Sequence, residues 1–275
     1  MERCVDYLIL GSGAAGHYAA KTIRERDPHG SILMLTEEGT PTYKRPMLSK
    51  SPLIRFKKDR LSVCGETWYR EQRIEMLYQC RILSLDADKK HVETDTGDFY
   101  YQKCIYALGG YNFVPPFPGH ELRGVLTVRR TEDLRKIKEY ALGENNAVVV
   151  GGGVIGLEIA LEMQRYGLQV TVLEASPRLM PRQLDPQTSE ERLDCLKGIR
   201  VCTNVSIAEI CGSEGRARSV LLADGRSFPC GMVAVSCGQK ANIVIAQAAG
   251  LPCGRAVIVN ERMETGIKDI WACGA

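Results

Sequence analysis

Two glycine clusters carry the first chemistry legible in the chain. Gly11-Ser12-Gly13-Ala14-Ala15-Gly16 and Gly151-Gly152-Gly153-Val154-Ile155-Gly156 share the spacing G-x-G-x-x-G. Such a turn suits a pyrophosphate: its first glycine makes the tight turn, its second lets backbone approach the phosphates, and its third lets helix and strand pack closely. A helix opening at the turn adds unpaired N–H groups and a partial positive charge. Glu174 lies near the ~20-residue interval at which this fingerprint carries a ribose-binding acid. Glu37 follows the first cluster after a somewhat longer gap. A carboxylate at 174 can accept from both ribose hydroxyls and repels a 2′-phosphate, so NADH is expected in preference to NADPH.

The flanks supply the elements that must position these turns. Ala147-Val148-Val149-Val150 reads as a strand buried on both faces, and Val170-Thr171-Val172-Leu173 as the next one. Between them the apolar positions Ile155, Ile159, Leu161, Met163 and Tyr166 predict an amphipathic helix. The N-terminus repeats the pattern, with a strand at 6–10, a helix from His17 to Arg26 stopped by Asp27-Pro28-His29-Gly30, and a strand at 31–36. A single fingerprint is weak evidence; two with correct flanks imply two dinucleotides, and hence a flavin exchanging electrons with a nicotinamide.

Composition excludes several other classes. The 275 residues exceed one typical α/β unit, the net charge is +3, and no long basic run suggests nucleic-acid binding. No apolar stretch reaches the roughly 18 residues of a membrane span, and Met1 to Asp6 has no signal-peptide pattern, so a cytoplasmic location is expected. The eleven cysteines are scattered without C-x-x-C pairs, which predicts reduced thiols and no metal site.

Thr42-Tyr43-Lys44-Arg45-Pro46-Met47-Leu48-Ser49-Lys50 resembles the Y-x-R-P-x-L-S-K segment of the pyridine nucleotide–disulfide oxidoreductase superfamily, in its NADH-dependent rubredoxin, ferredoxin and nitrite reductase branch. The resemblance implies an α/β fold of two nested Rossmann-like (three-layer ββα) dinucleotide-binding domains, with the NAD domain inserted in the FAD domain. It implies that Arg45 contacts FAD, that Lys50 lies near the reactive edge of the flavin, and that Glu158 pairs with Lys50 near the nicotinamide. Lys50 and Glu158 are accordingly the expected catalytic pair. Hydride would pass from NADH to FAD, and electrons onward to a small electron-transfer protein such as rubredoxin or ferredoxin. Residues 39 to 50 hold no cysteine, where disulfide reductases of the superfamily have C-x4-C and its peroxidases a single cysteine. Electrons are therefore expected to leave toward an external acceptor.

The rest of the chain divides accordingly. Residues 66–74 read as a polar helix, followed by strands at 82–86, 90–94 and 99–101 as a meander. Cys104 to Gly110 resembles the family's A-T-G strand end, where backbone at Ala107 and Gly109 would pass close to FAD. Pro115-Pro116-Phe117-Pro118-Gly119 is the clearest linker. Expected boundaries are residues 1–114 for the first part of the FAD domain, 115–241 for the NAD domain and 242–275 for the second FAD part. Thr131 and Asp133 are expected caps of a helix at 134–142, and a further helix is expected at 187–196. Gly238 resembles the glycine that passes near the nicotinamide. Ile270 to Gly274 resembles the approach to the second FAD motif A-x-G-D, in which Gly274 would lie near FAD. Alanine stands at 275 where that motif has its ribityl-binding aspartate. The sequence is thus read as a fragment or a truncated relative. Two alternatives remain: a truncated nucleotide-binding module without catalysis, and an NADH oxidase using dioxygen.

Overall fold

A computed structural model describes residues 2–50, 61–191 and 196–274. The chain forms two compact units. One comprises residues 1–44, 58–111 and 240–275, the other residues 45–57 and 112–239.

The first unit opens with β1 (Glu2–Leu10), α1 (Ala14–Arg26), β2 (Ile32–Leu35), α2 (Glu66–Glu71), β3 (Ile74–Leu77), β4 (Ile82–Asp86), β5 (His91–Thr94) and β6 (Gly97–Tyr106). Strand β7 (Gly110–Asn112) leads out of it. The second unit holds β8 (Val125–Leu126), α3 (Thr131–Ala141), β9 (Asn146–Val150), α4 (Val154–Arg165), β10 (Gln169–Leu173), α5 (Pro186–Glu191), β11 (Arg200–Cys202), β12 (Ile207–Ser213), β13 (Arg216–Leu222), β14 (Ser227–Pro229) and β15 (Met232–Val235). Strand β16 (Gln239–Ala241) returns the chain to α6 (Val244–Ala248) and β17 (Ile270–Ala272).

In the first unit the sheet runs β3-β2-β1-β6-β5-β4, with β17 also on β6. Strands β3, β2, β1 and β6 are parallel neighbours. Buried on both faces, β1 needs an apolar run rather than strict alternation. Leu8 and Leu10 join one core cluster, and Ile9 joins another with Ala20 of α1 and Tyr69 of α2. The meander is not a separate layer. Strand β6 is a single long strand whose start pairs antiparallel with β5 and whose end pairs parallel with β17. The helix expected through residue 74 stops at Glu71, because Ile74 begins β3 on the edge of β2.

In the second unit the order β11-β10-β9-β15-β8 is parallel throughout. Val148, Val150, Val233 and Val235 of this sheet share a core with Ile210, Val220, Leu222 and Phe228 of the antiparallel β12-β13-β14 sheet. Helix α4 buries Ile159, Ala160 and Met163. Two β layers and a helical layer result, an α/β architecture. Asp133, not Thr131, caps α3, its carboxylate accepting from the backbone N–H groups of Arg129 (2.8 Å) and Arg130 (2.9 Å). Thr131 is the first residue of that helix. The helix expected over 187–196 is seen at Pro186–Glu191, and residues 192–195 lie outside the described residues. No helix among the described residues is long and apolar enough to cross a membrane.

Candidate functional site

Each glycine turn follows the end of a buried central strand. Gly11 and Gly151 both have φ of 109°, a backbone region that suits glycine. A Cβ on Gly11 would collide with the Ala107 carbonyl oxygen, and one on Gly151 with that of Ser236. Gly16 and Gly156 leave the same lack of room: a Cβ on either would strike the carbonyl oxygen of Gly11 or Gly151. The middle glycines differ. A Cβ at Gly13 or Gly153 would meet nothing within 4 Å. The first and third glycines are thus needed by the protein's own packing, and the second faces open space. That division suits a phosphate group approaching the backbone at Gly13 and Gly153. Helices α1 and α4 start at the next residues, Ala14 and Val154, so their unpaired N–H groups lie at the turns.

The turns recur down to their neighbours. Ala107 N–H bonds the Leu10 carbonyl at 2.9 Å, and Ser236 N–H the Val150 carbonyl at 2.8 Å. Two residues further, Gly109 and Gly238 both take positive φ. Gly274, also at positive φ, lies against Ala15 of α1. Gly238, Ile155, Ile159, Val128, Val235, Ser236, Asn112 and Gln239 line a small cleft of about 30 Å³ in the second unit. Val154 and Ile155 stay exposed beside the second turn despite their apolar side chains.

Strand-end residues show a difference. Glu174 directly follows β10; its Oε2 accepts from Gly152 N–H at 2.6 Å and its Oε1 from Ser176 N–H at 2.7 Å. Both oxygens brace backbone and keep lone pairs for a further donor. At the matching place after β2 stands Thr36, whose Oγ1 accepts from the Ser12 hydroxyl at 2.8 Å. Glu37 lies one residue beyond and is exposed. The following acid, Glu38, is buried and accepts from the Tyr43 hydroxyl at 2.5 Å.

The segment Arg45–Ser49 forms a 3₁₀ turn in the second unit. Arg45 donates from Nη1 to the Arg129 carbonyl at 2.8 Å. Lys50 Nζ lies 3.0 Å from Glu158 Oε1 and 3.2 Å from Oε2, and also donates to the Pro46 carbonyl at 3.2 Å. Buried Ser49 donates from its hydroxyl to Glu158 Oε2. The carboxylate on α4 therefore holds two donors from adjacent residues. Sequence reasoning missed Ser49, although its place in L-S-K beside Lys50 was the available signal. No arrangement of three His, Cys, Asp or Glu side chains suited to a metal ion occurs among the described residues. Every cysteine among the described residues is a free thiol. Burial pushes the Cys237 thiol, next to the cleft, up to about 11, which keeps it protonated.

The family described as "Pyridine nucleotide-disulphide oxidoreductase" matches residues 5–275. The chain belongs to that family. An NADH oxidase of Methanocaldococcus jannaschii is 34% identical over 97% of this chain and 62% of its own length. A rubredoxin-NAD(+) reductase of Pseudomonas putida is 31% identical over 97% of this chain and 70% of its own length. Among solved structures, a ferredoxin reductase of Rhodopseudomonas palustris has a TM-score of 0.92 at 32% identity, covering 97% of this chain and 67% of its own. The chain thus spans about two thirds of the length of such family members.

Proposed function

We propose that this chain is the nucleotide-binding part of an FAD-dependent NADH oxidoreductase that delivers electrons to a small electron-transfer protein. The observation that carries the reading is the duplicated glycine turn, each copy with its middle glycine facing open space. Residues 1–114 and 242–275 would hold FAD, through Gly11, Gly13, Ala14, Ala15, Gly16, Glu37, Ala107, Gly109 and Gly274. Residues 115–241 would hold NADH, through Gly151, Gly153, Val154, Ile155, Gly156, Glu174 and Gly238. Bound flavin supplies hydride acceptance from NADH and onward electron transfer.

The protein's own groups bind and orient. Helix N-termini and turn N–H groups meet the phosphates. Glu174, its turn contacts already made, accepts from the ribose hydroxyls and selects NADH over NADPH. Lys50 carries a fixed positive charge for the reduced cofactor, and Glu158 holds it in place from α4. Arg45 adds a second cation to the same segment. The acceptor is read as a rubredoxin- or ferredoxin-like protein, supported by the names of the relatives. A cytoplasmic location fits this reading, and neither nucleic acid nor membrane is needed as partner.

The test is the visible absorption spectrum of the purified chain loaded with FAD, before and after anaerobic NADH. Flavin absorbance that bleaches with NADH supports the reading. A chain that cannot be loaded with FAD refutes it and leaves a non-catalytic nucleotide-binding module. Stoichiometric peroxide on admitting air, with no transfer to an added rubredoxin or ferredoxin, favours the dioxygen reading suggested by the relative named NADH oxidase.

A further inference from the structure

Beneath the first glycine turn lies a line of buried polar side chains that the proposed chemistry does not use. His17 Nδ1 is 2.7 Å from the Tyr69 hydroxyl, which is 2.6 Å from Thr42 Oγ1, which is 2.8 Å from the Ser12 carbonyl oxygen. All four residues are buried, Thr42 to 1% exposure and Tyr69 to 3%. Counting protons along these three short contacts orders their donors; the Cys64 thiol, its Sγ 3.8 Å from His17 Nδ1, is a longer and weaker neighbour. A carbonyl can only accept, so Thr42 spends its single hydroxyl proton on Ser12. Thr42 Oγ1 must then accept from Tyr69, which uses the one phenolic proton. The Tyr69 oxygen must in turn accept from His17, so the imidazole carries its proton on Nδ1. Burial, with Lys21 nearby, holds the His17 pKa below its ordinary value, so the ring is neutral and Nε2 bears a lone pair.

The far end of the line is what matters for binding. In a trans peptide the carbonyl and the following N–H point in opposite directions. Holding the Ser12 carbonyl toward Thr42 therefore turns the Gly13 N–H to the opposite side. In this turn it is at Gly13 that an added Cβ would meet nothing within 4 Å, so a ligand has room to approach the backbone there. The second turn grips the matching carbonyl by another device, for the Met180 N–H donates to the Gly152 oxygen at 3.0 Å. The same peptide is fixed in both copies, once by backbone and once by a side-chain chain.

We infer that His17, Tyr69 and Thr42 form a proton-ordered chain that locks the Ser12–Gly13 peptide and aims the Gly13 N–H at a pyrophosphate, making Thr42 a positioning residue for the flavin dinucleotide. This rests on the first turn being the FAD site. The test compares Thr42→Val, which keeps the shape and removes the hydroxyl, with Thr42→Ser, which restores it, in the full chain. Imidazole ¹⁵N shifts of the four histidines give the tautomer of His17. The wild type and Thr42→Ser should show Nδ1–H. In Thr42→Val the Tyr69 proton loses its acceptor and turns to His17, so the ring should switch to Nε2–H. Flavin fluorescence on reconstitution should give FAD affinity at least tenfold weaker for Thr42→Val and close to wild type for Thr42→Ser, with NADH affinity alike in all three. An Nε2–H tautomer in the wild type overturns the proton order, and this measurement decides even if Thr42→Val fails to fold. Unchanged FAD affinity in a folded Thr42→Val overturns the positioning role. Failure of the wild type to bind FAD would instead sink the functional reading, a result the tautomer measurement keeps distinct.

Discussion

Glu158→Gln separates a role in the reaction from a role in folding. The Lys50 side chain is 48% exposed and that of Glu158 25%, so water screens their ion pair. Such half-exposed pairs contribute about 0–1 kcal/mol to stability. A glutamine can also still present its amide oxygen to the Ser49 hydroxyl, leaving the lost contact on the Lys50 side alone. The expected fall in Tm is then at most about 4 °C. The reaction should register the loss as well. With the amide N–H₂ facing its ammonium, Lys50 loses the charged acceptor that fixes its position, a screened contact of up to about 1 kcal/mol. Converted at about 1.4 kcal/mol per decade, that predicts flavin reduction by NADH slowed roughly fivefold. Anaerobic stopped-flow, following flavin absorbance at saturating NADH, measures the rate directly, and thermal unfolding of the same FAD-loaded samples gives Tm. A rate within twofold of wild type would refute the assigned role. A slowed rate accompanied by a large drop in Tm would mean that Glu158 is structural.

Glu174→Gln should weaken NADH binding about tenfold or more, because one oxygen that braces backbone and serves ribose becomes a donor facing N–H groups; titration with NADH and NADPH checks it, and an unchanged preference ratio removes the ribose role. Gly13→Val should fold normally, since Gly13 has an ordinary φ of −66° and open space ahead, yet it should lose FAD. Gly11→Ala should unfold the first unit instead, through positive φ and collision with Ala107, and circular dichroism beside flavin content distinguishes the two outcomes. The depressed pKa of His17 means that the unfolded chain takes up a proton first as pH falls below about 6.5, so stability present above that pH is lost on acidification. His17→Asn should flatten that part of the dependence, and a Tm–pH profile parallel to wild type would contradict the buried neutral ring.

Strand, turn and helix were legible because their signals are local. The run Ala147–Val150 and the glycines after it specify one another within a few residues, and so does their N-terminal copy. Elements whose limits depend on distant partners were misread. Nothing near Ile74 in sequence says that β2 offers it an edge, and the expected helix accordingly ran too far. Phe99–Tyr101 and the strand end from Cys104 to Gly110 were read apart, whereas one strand runs Gly97–Tyr106 and its partner changes from β5 to β17 partway along. At the site, Lys50 and Glu158 were reached through a motif that also contains Ser49, whereas the line from His17 to Ser12 joins residues remote in sequence by side-chain hydrogen bonds. No spacing rule records such contacts.

The acid after the second strand shows how far a fingerprint alone can be followed. Both turns leave a residue between their first two glycines, serine at 12 and glycine at 152. A Cβ on Gly152 would run into Leu179 and come within 3.2 Å of Glu174. The large acid that braces the second turn thus requires a glycine opposite it. In the first turn the strand ends in Thr36, which is small enough to admit Ser12 and to accept its hydroxyl proton. The acid is displaced to Glu37, outside the turn. The change of packing partner, serine with threonine in one turn and glycine with glutamate in the other, adds one residue to the gap in the first copy; the longer helix and connection between Ala14 and Ile32 add the rest. Among the described residues the Ser12 carbonyl takes its hydrogen bond from Thr42, with its two buried supports, where the Gly152 carbonyl takes one from the Met180 N–H.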